Sequence, residues 1–250
     1  MSAFILKVEK LCLSYSGFMA VDNVTFQVAR NTIHSIIGPN GAGKTSLFHC
    51  LTGARRPTSG YVEFDGREIT REPTHKRVSA GMARSFQITS LFQNLTVREN
   101  LRLASQGRDG DGALTFWRSA FARREHIEVA DAVMERLGLT KRADAAAGGL
   151  PHGQQRILEL GMALCGRPRL LLLDEPTAGM GVEDIPLMTR LIAELGKEYS
   201  VMLIEHNMGI VMSISDVITV MSQGGILVEG KPEVIRADAR VREAYLGDAA

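Results

Sequence analysis

Apolar positions along the chain recur with two periods. FILKVEKLCL near the start runs or alternates apolar, VTFQV alternates, and NTIHSIIG is a short apolar run closed by glycine. The first third therefore predicts short strands. After Gly43 the period lengthens. KTSLFHCLTG predicts a short helix closed by Gly53, and PTSGYVEFDG a turn followed by an alternating strand. From about residue 88 to 158 helical spacing dominates. In IEVADAVMERLG, residues Ile127, Ala130, Val133, Met134 and Leu137 share one face before Gly138. GRDGDG at 107–112 is a loop by composition. RLLLLDE and VMLIEH are continuous apolar runs of the kind buried in parallel sheets, and PLMTRLIAELGKE between them has helical spacing. The pattern predicts an α/β protein. Residues 1–87 and 159–250 form a nucleotide-type core, and a helical subdomain, 88–158, is inserted in it.

Composition narrows the function classes. A chain of 250 residues can bury a sizeable core, and 45% hydrophobic with 23% charged residues is ordinary for a globular protein. A formal net charge of +1 leaves no global basic field, so no nucleic-acid partner is expected. The N-terminal apolar run is too short for a signal peptide, and the best apolar stretch, GMALCGRPRLLLL, is interrupted by Arg167 and Arg169. Cys12, Cys50 and Cys165 have neither metal-ligand nor disulfide spacing, so reduced thiols in the cytosol are expected.

Two motifs carry chemistry. GPNGAGKTS follows a predicted strand and opens a helix, which is the context of a phosphate-binding loop spanning Gly38, Pro39, Asn40, Gly41, Ala42, Gly43, Lys44 and Thr45, with Ser46 next. Its glycines let backbone N–H groups converge on one anion, and the helix adds its positive dipole end. Lys44 is placed to reach the β- and γ-phosphates, and Thr45 to offer its hydroxyl to Mg²⁺. LLLLDE delivers two acids at the C-terminal edge of a strand, where ligands of parallel sheets bind. Asp174 suits the Mg²⁺ shell and Glu175 the polarisation of an attacking water. Alone, LLLLDE would read as a core strand with solvated acids. Beside the loop it reads as half of a nucleoside-triphosphate hydrolase site.

The order GPNGAGKT, FQ, LPHGQQ, LLLLDEP and IEH resembles the ATP-binding subunits of ABC transporters over nearly the whole chain. The resemblance implies a P-loop core, an antiparallel β subdomain and a helical subdomain after Gln87, with ATP and Mg²⁺ as cofactors. It also implies that Tyr15 stacks on adenine, that Gln87 links Mg²⁺ and water to a membrane-facing groove, and that His206 meets the γ-phosphate. The signature loop LSGGQ of that family, which faces nucleotide on the opposite subunit, is altered here. Leu150, Gly153 and Gln154 match, but Pro151 replaces serine and His152 replaces glycine. Pro151 has no hydroxyl and no N–H. It can still begin a helix whose dipole end faces a phosphate, and His152 can supply a donor. Gly181 stands where the family usually places aspartate or asparagine.

Both departures lie in what this chain offers a partner. The expectation is a heterodimer with a second ATPase subunit of more complete signature. Two membrane permease subunits and, indirectly, a periplasmic solute-binding protein are the further partners, with the chain peripheral on the cytoplasmic face of the inner membrane. RSFQITSLFQNLTVRENL, the helical insert and the REAYLGD terminus look most like the larger ATPase subunit of branched-chain amino-acid importers. Urea, amide or aromatic-acid importers, a lipopolysaccharide-export ATPase and a soluble ABC-type ATPase stay open. Leu91, Phe92 and Leu95 either line the permease groove or fill the subdomain core. Trp117 and Phe121 beside Arg118, Arg123 and Arg124 form a basic amphipathic turn.

Overall fold

The computed structural model describes residues 2–84, 91–107 and 120–246. Gln87, residues 108–112 of the GRDGDG loop, Trp117, Arg118 and the side chains of Phe121 and Arg123 lie outside the described residues. In chain order the first elements are β1 (Phe4–Tyr15), β2 (Phe18–Ala29), β3 (Ile33–Ile37), α1 (Lys44–Thr52), β4 (Ser59–Phe64), β5 (Arg67–Glu68) and α2 (Thr74–Ser79). Next come β6 (Met82–Arg84), α3 (Val97–Gln106), α4 (Ala120–Arg136), α5 (His152–Cys165), β7 (Leu170–Asp174) and α6 (Ile185–Gly196). The chain closes with β8 (Ser200–Ile204), α7 (Met208–Ile214), β9 (Val217–Ser222), β10 (Gly225–Gly230), α8 (Pro232–Ala237) and α9 (Ala239–Leu246).

Packing divides the chain into one unit of residues 1–77 with 192–250 and another of residues 78–191. The 88–158 partition followed the helical run alone, whereas packing groups the parallel pair β6–β7 with those helices.

In the first unit, an antiparallel sheet of order β2-β1-β4-β5 accompanies strands ordered β10-β9-β3-β8. β1 and β2 bury alternate stretches, and Val8, Leu11, Val24 and Val28 are fully buried. All five positions of β3 and of β8 are buried, as in strands covered on both faces, although β3 includes His34 and Ser35 and β8 begins at Ser200. β3 runs parallel to β8 and to β9. The hairpin β9–β10 was not expected from periodicity, although SQGG between its strands is a turn signal.

A buried polar chain crosses these strands. His34 Nε2 lies 2.7 Å from Thr219 Oγ1, which donates to Glu229 Oε2 at 2.7 Å. Burial pushes the His34 pKa down to about 4, against a Gln27 carbonyl that favours the proton. The Glu229 carboxylate, 3.8 Å away and 37% exposed, is too solvated to reverse this. With a folded pKa below the ordinary 6.5, the neutral ring's contribution is complete above pH 6.5 and is lost as pH falls toward 4. Between pH 7.5 and 5 the protein should lose about 2 kcal/mol more stability than a His34→Gln variant. Urea unfolding at the two pH values measures this, and parallel pH slopes for the two proteins would rule it out.

In the second unit, α3 packs on α4 and α5. Arg98 bridges Asp131 at 2.9 Å and Asp144 at 3.0 Å. Asn100, fully buried, accepts from the Phe92 N–H and donates to the Phe92, Leu95 and Thr96 carbonyls. This braces the 91–96 loop, with Leu91 8% exposed and Phe92 54% exposed. Leu91 thus belongs to the core, Leu95 is half-buried, and Phe92 faces outward.

Candidate functional site

The phosphate-binding loop follows β3 and leads into α1 as its spacing predicted, with the helix beginning at Lys44. Gly38, Gly41 and Gly43 have φ of 154°, 78° and 98°, a region that L side chains avoid. At two of them there is also no room. A Cβ on Gly38 would collide with the Met221 carbonyl, and one on Gly43 with the Ala20 carbonyl. The turn between β9 and β10 braces the loop, since the Gly224 N–H donates to the Ala42 carbonyl at 3.1 Å.

Lys44 is 6% exposed, and its ammonium donates to the Gly38 and Pro39 carbonyls at 2.6 and 2.9 Å. Thr45 and Asn40 are exposed, and Ser46 is half-buried. The loop is therefore curled around a fixed cation at a helix start, which fits a phosphate chain. Among the described residues no group of three His, Cys, Asp or Glu could hold a metal.

The segment after β8 leaves the same edge, because Ile36 of β3 is in register with Ile204 of β8. Two residues on from these lie Gly38 and His206. Glu205, 4% exposed, accepts the backbone N–H groups of His206 at 3.1 Å and Asn207 at 3.4 Å, and Asn207 caps α7 through the Ile210 N–H. Tyr15, 37% exposed, ends β1, with the Arg55 guanidinium carbon 5.9 Å from its ring centre.

The second unit carries the other predicted residues. β7 is buried throughout and ends at Asp174, 3% exposed. Glu175 follows at φ 49°, an uncommon backbone conformation for a residue with a side chain. Arg84 of the neighbouring β6 reaches to 3.9 Å from Asp174 Oδ2. Burial lowers the Arg84 pKa, and the Asp174 charge opposes that shift. The ion pair Arg156–Glu159, 3.0 Å long, lines a small cavity together with Asp174.

The loop LPHGQ opens α5, but Pro151 is the cap residue just before the helix and not a member of its first turn. Its carbonyl accepts from the Gln155 N–H, which a proline's missing N–H does not prevent. Leu150 is buried and His152 exposed, and a Cβ on Gly179 would lie 3.2 Å from the His152 ring. A Cβ on Gly153 would collide with the Asp184 carboxylate, so that acid sits against the start of α5. No described group donates to Gln154 Oε1, which is buried. The Gly181 carbonyl accepts from the Asp184 and Ile185 N–H groups, at 3.0 and 3.3 Å, where α6 begins.

Sequence reasoning missed Arg84, Glu205, Asp184 and Arg55. Arg84 opens the quoted stretch RSFQ and Glu205 is the middle residue of IEH, and that placement was the available signal. Asp184 and Arg55 carry none.

Residues 21–178 match the family model described as ABC transporter. The chain belongs to the ABC transporter family. Residues 226–250 of this ABC protein also match the model described as branched-chain amino acid ATP-binding cassette transporter. It is 44% identical, over the full length of both chains, to the high-affinity branched-chain amino acid transport ATP-binding protein BraF of Pseudomonas aeruginosa. It is 38% identical, again over both full lengths, to LivG of Escherichia coli K12, which bears the same description. The lipopolysaccharide export system ATP-binding protein LptB of Haemophilus influenzae is 31% identical over 98% of both chains. Among solved structures, the ADP conformation of an ATP-binding cassette of an ABC transporter superposes with a TM-score of 0.87 at 31% identity, over 98% of this chain and 100% of the other. A nucleotide-free cassette gives 0.85, also at 31% identity, over 97% and 98%. The fold is thus the α/β cassette that the motif order implied.

Proposed function

We propose that this chain is the ATP-hydrolysing subunit of an importer for branched-chain or other hydrophobic amino acids. The observation that carries the reading is the Gly38–Thr45 loop, closed around Lys44, in a chain similar end to end to amino-acid transport ATP-binding proteins. Lys44 and the loop amides bind the β- and γ-phosphates, and ATP releases the lysine from the Gly38 and Pro39 carbonyls. Tyr15, ending β1, stacks on adenine with Arg55 steadying the ring. Thr45, Asp174 and Gln87 would hold Mg²⁺, which would neutralise charge on the phosphate oxygens. Glu175 takes a proton from the attacking water, and His206, fixed by the Glu205 turn, donates to the γ-phosphate.

Leu150, His152, Gly153 and Gln154 face nucleotide held by a second ATPase subunit. We assign that partner a more complete signature, because Pro151 offers neither hydroxyl nor N–H and Asp184 sets a negative charge at Gly153. The heterodimer drives two permease subunits at the cytoplasmic face of the inner membrane, with exposed Phe92 on the surface they meet. A periplasmic solute-binding protein delivers the amino acid. Among the described residues no helix is long and apolar enough to cross a membrane, so the permease supplies the spans.

Reconstitution of the chain with its partner subunits in liposomes tests this reading. ATP-dependent uptake of leucine, isoleucine or valine should exceed that of urea or aromatic acids. Glu175→Gln should also remove more turnover than the same change in the partner subunit. Equal losses would refute the asymmetry, and uptake of urea alone would refute the solute class.

A further inference from the structure

Away from the phosphate loop, a cavity of about 540 Å³ opens among α7, α8 and α9. That volume suits a small ligand. Its floor is apolar. Ile235 and Val241 are 1% and 4% exposed, and Met208 and Met212 pack against the same buried cluster. Arg236 and Arg242 stand at its rim, and no described side chain pairs with either. The intervening Arg240 differs, because Asp238 neutralises it at 2.7 Å. Among the described residues that line the cavity none is acidic. An apolar floor under two unneutralised guanidiniums matches an aliphatic body that ends in a carboxylate.

One wall of the cavity is also mechanically tied to the nucleotide side of the fold. Met208 begins α7 directly after its cap Asn207, and Asn207 follows His206 in the turn held by Glu205. A ligand wedged against Met208 and Met212 restrains α7 and with it this turn.

We propose that the cavity binds a small aliphatic carboxylate, a branched-chain amino acid or its 2-oxo acid, and that occupancy changes ATP turnover through His206. The binding site stands on the cavity's own walls. The effect on turnover rests on the proposed role of His206 at the γ-phosphate.

Calorimetry on the nucleotide-free full chain tests binding, with 4-methylpentanoate, leucine and 4-methyl-2-oxopentanoate as probes and 4-methylpentanamide as the uncharged control. The expected result is saturable binding of at least one acid with half-saturation near ~1 mM, as its few heavy atoms allow. An Arg236→Gln/Arg242→Gln double variant should bind at least ~5-fold more weakly, through loss of the charge-assisted hydrogen bonds. Both arginines are exposed, so the variant keeps its core. The acid that binds best distinguishes imported solute from its oxidised product. No binding by any acid at ~10 mM, equal binding by the amide, or equal binding by the double variant would each overturn the site, since a carboxylate-independent affinity is not the one argued. At saturation, turnover should change at least ~2-fold in the native chain and not in the double variant. Binding with unchanged turnover would overturn the coupling and leave the site standing.

Discussion

Glu175→Gln should lower ATP turnover by about 10²–10⁴-fold while leaving nucleotide affinity nearly intact. That range corresponds to about 3–5 kcal/mol of transition-state stabilisation. The amide keeps the size and the backbone of the acid but cannot take a proton from water. The loop proposed to bind the phosphates lies elsewhere in the chain and is unaltered, so ATP should still bind. With hydrolysis blocked, any closed dimer accumulates, and light scattering with Mg²⁺–ATP reports it. A dimer of this chain alone would mean that LPHGQ can clasp nucleotide; a monomer that still binds ATP would point to the partner subunit. A variant that keeps more than about a tenth of native turnover would remove Glu175 from the general-base role.

The backbone at Glu175 allows a second comparison. Its φ of 49° costs about 1–2 kcal/mol for a residue with a Cβ. Glu175→Gly should therefore unfold at a higher urea concentration than Glu175→Gln, with both inactive. Such strain at the end of β7 is the trade of stability for position expected at a reacting centre.

The largest effect on stability is expected at Arg77, not at the nucleotide residues. Arg77 is 2% exposed and donates to the Cys50, Leu51, Thr70 and Glu72 carbonyls, at 2.8, 2.7, 3.2 and 2.9 Å. Cys50 and Leu51 lie in the last turn of α1, where carbonyls lack helical partners and the dipole end is negative. The guanidinium thus anchors the end of α1 opposite to Lys44. Burial lowers the Arg77 pKa to about 10, which still leaves it charged at neutral pH. Arg77→Met keeps most of the volume, removes all these donors and strands buried carbonyls, at a cost of about 3–5 kcal/mol. Arg77→Lys should recover less than half, because one ammonium cannot span the fork. Urea midpoints of the three proteins measure this, and a loss below about 1 kcal/mol for the methionine variant would show that water replaces the guanidinium.

Much of the site was legible because its chemistry is contiguous. A phosphate cradle needs a strand end, glycines at positive φ and a helix start in immediate succession, so Gly38 to Ser46 declare it in nine letters. β7 with Asp174 and Glu175 is read in the same way, as a fully buried run that stops at two acids. The hairpin β9–β10 escaped because DVITVMS and GILVEG are short runs whose burial depends on neighbours, not on their own period. Pro151 was placed one residue too far into the helix, since a proline's fixed φ suits the cap and the first turn alike.

By itself the sequence determined the α/β class, the phosphate loop, the acid-ended strand, the loss of two donors at Pro151 and membership of a family whose motifs occur in this order. Each is a property of neighbouring residues, decided by backbone geometry and hydrophobic period. Only the tertiary structure decided that Arg84 stands by Asp174, that the Asp184 carboxylate closes on Gly153, that Gly224 braces Ala42 and that Arg77 holds the end of α1. It likewise made the cavity between α7, α8 and α9. These pairings join residues far apart in the chain. Their partners are chosen by side-chain reach and by the cost of burying an unmatched polar group, and no local pattern encodes either.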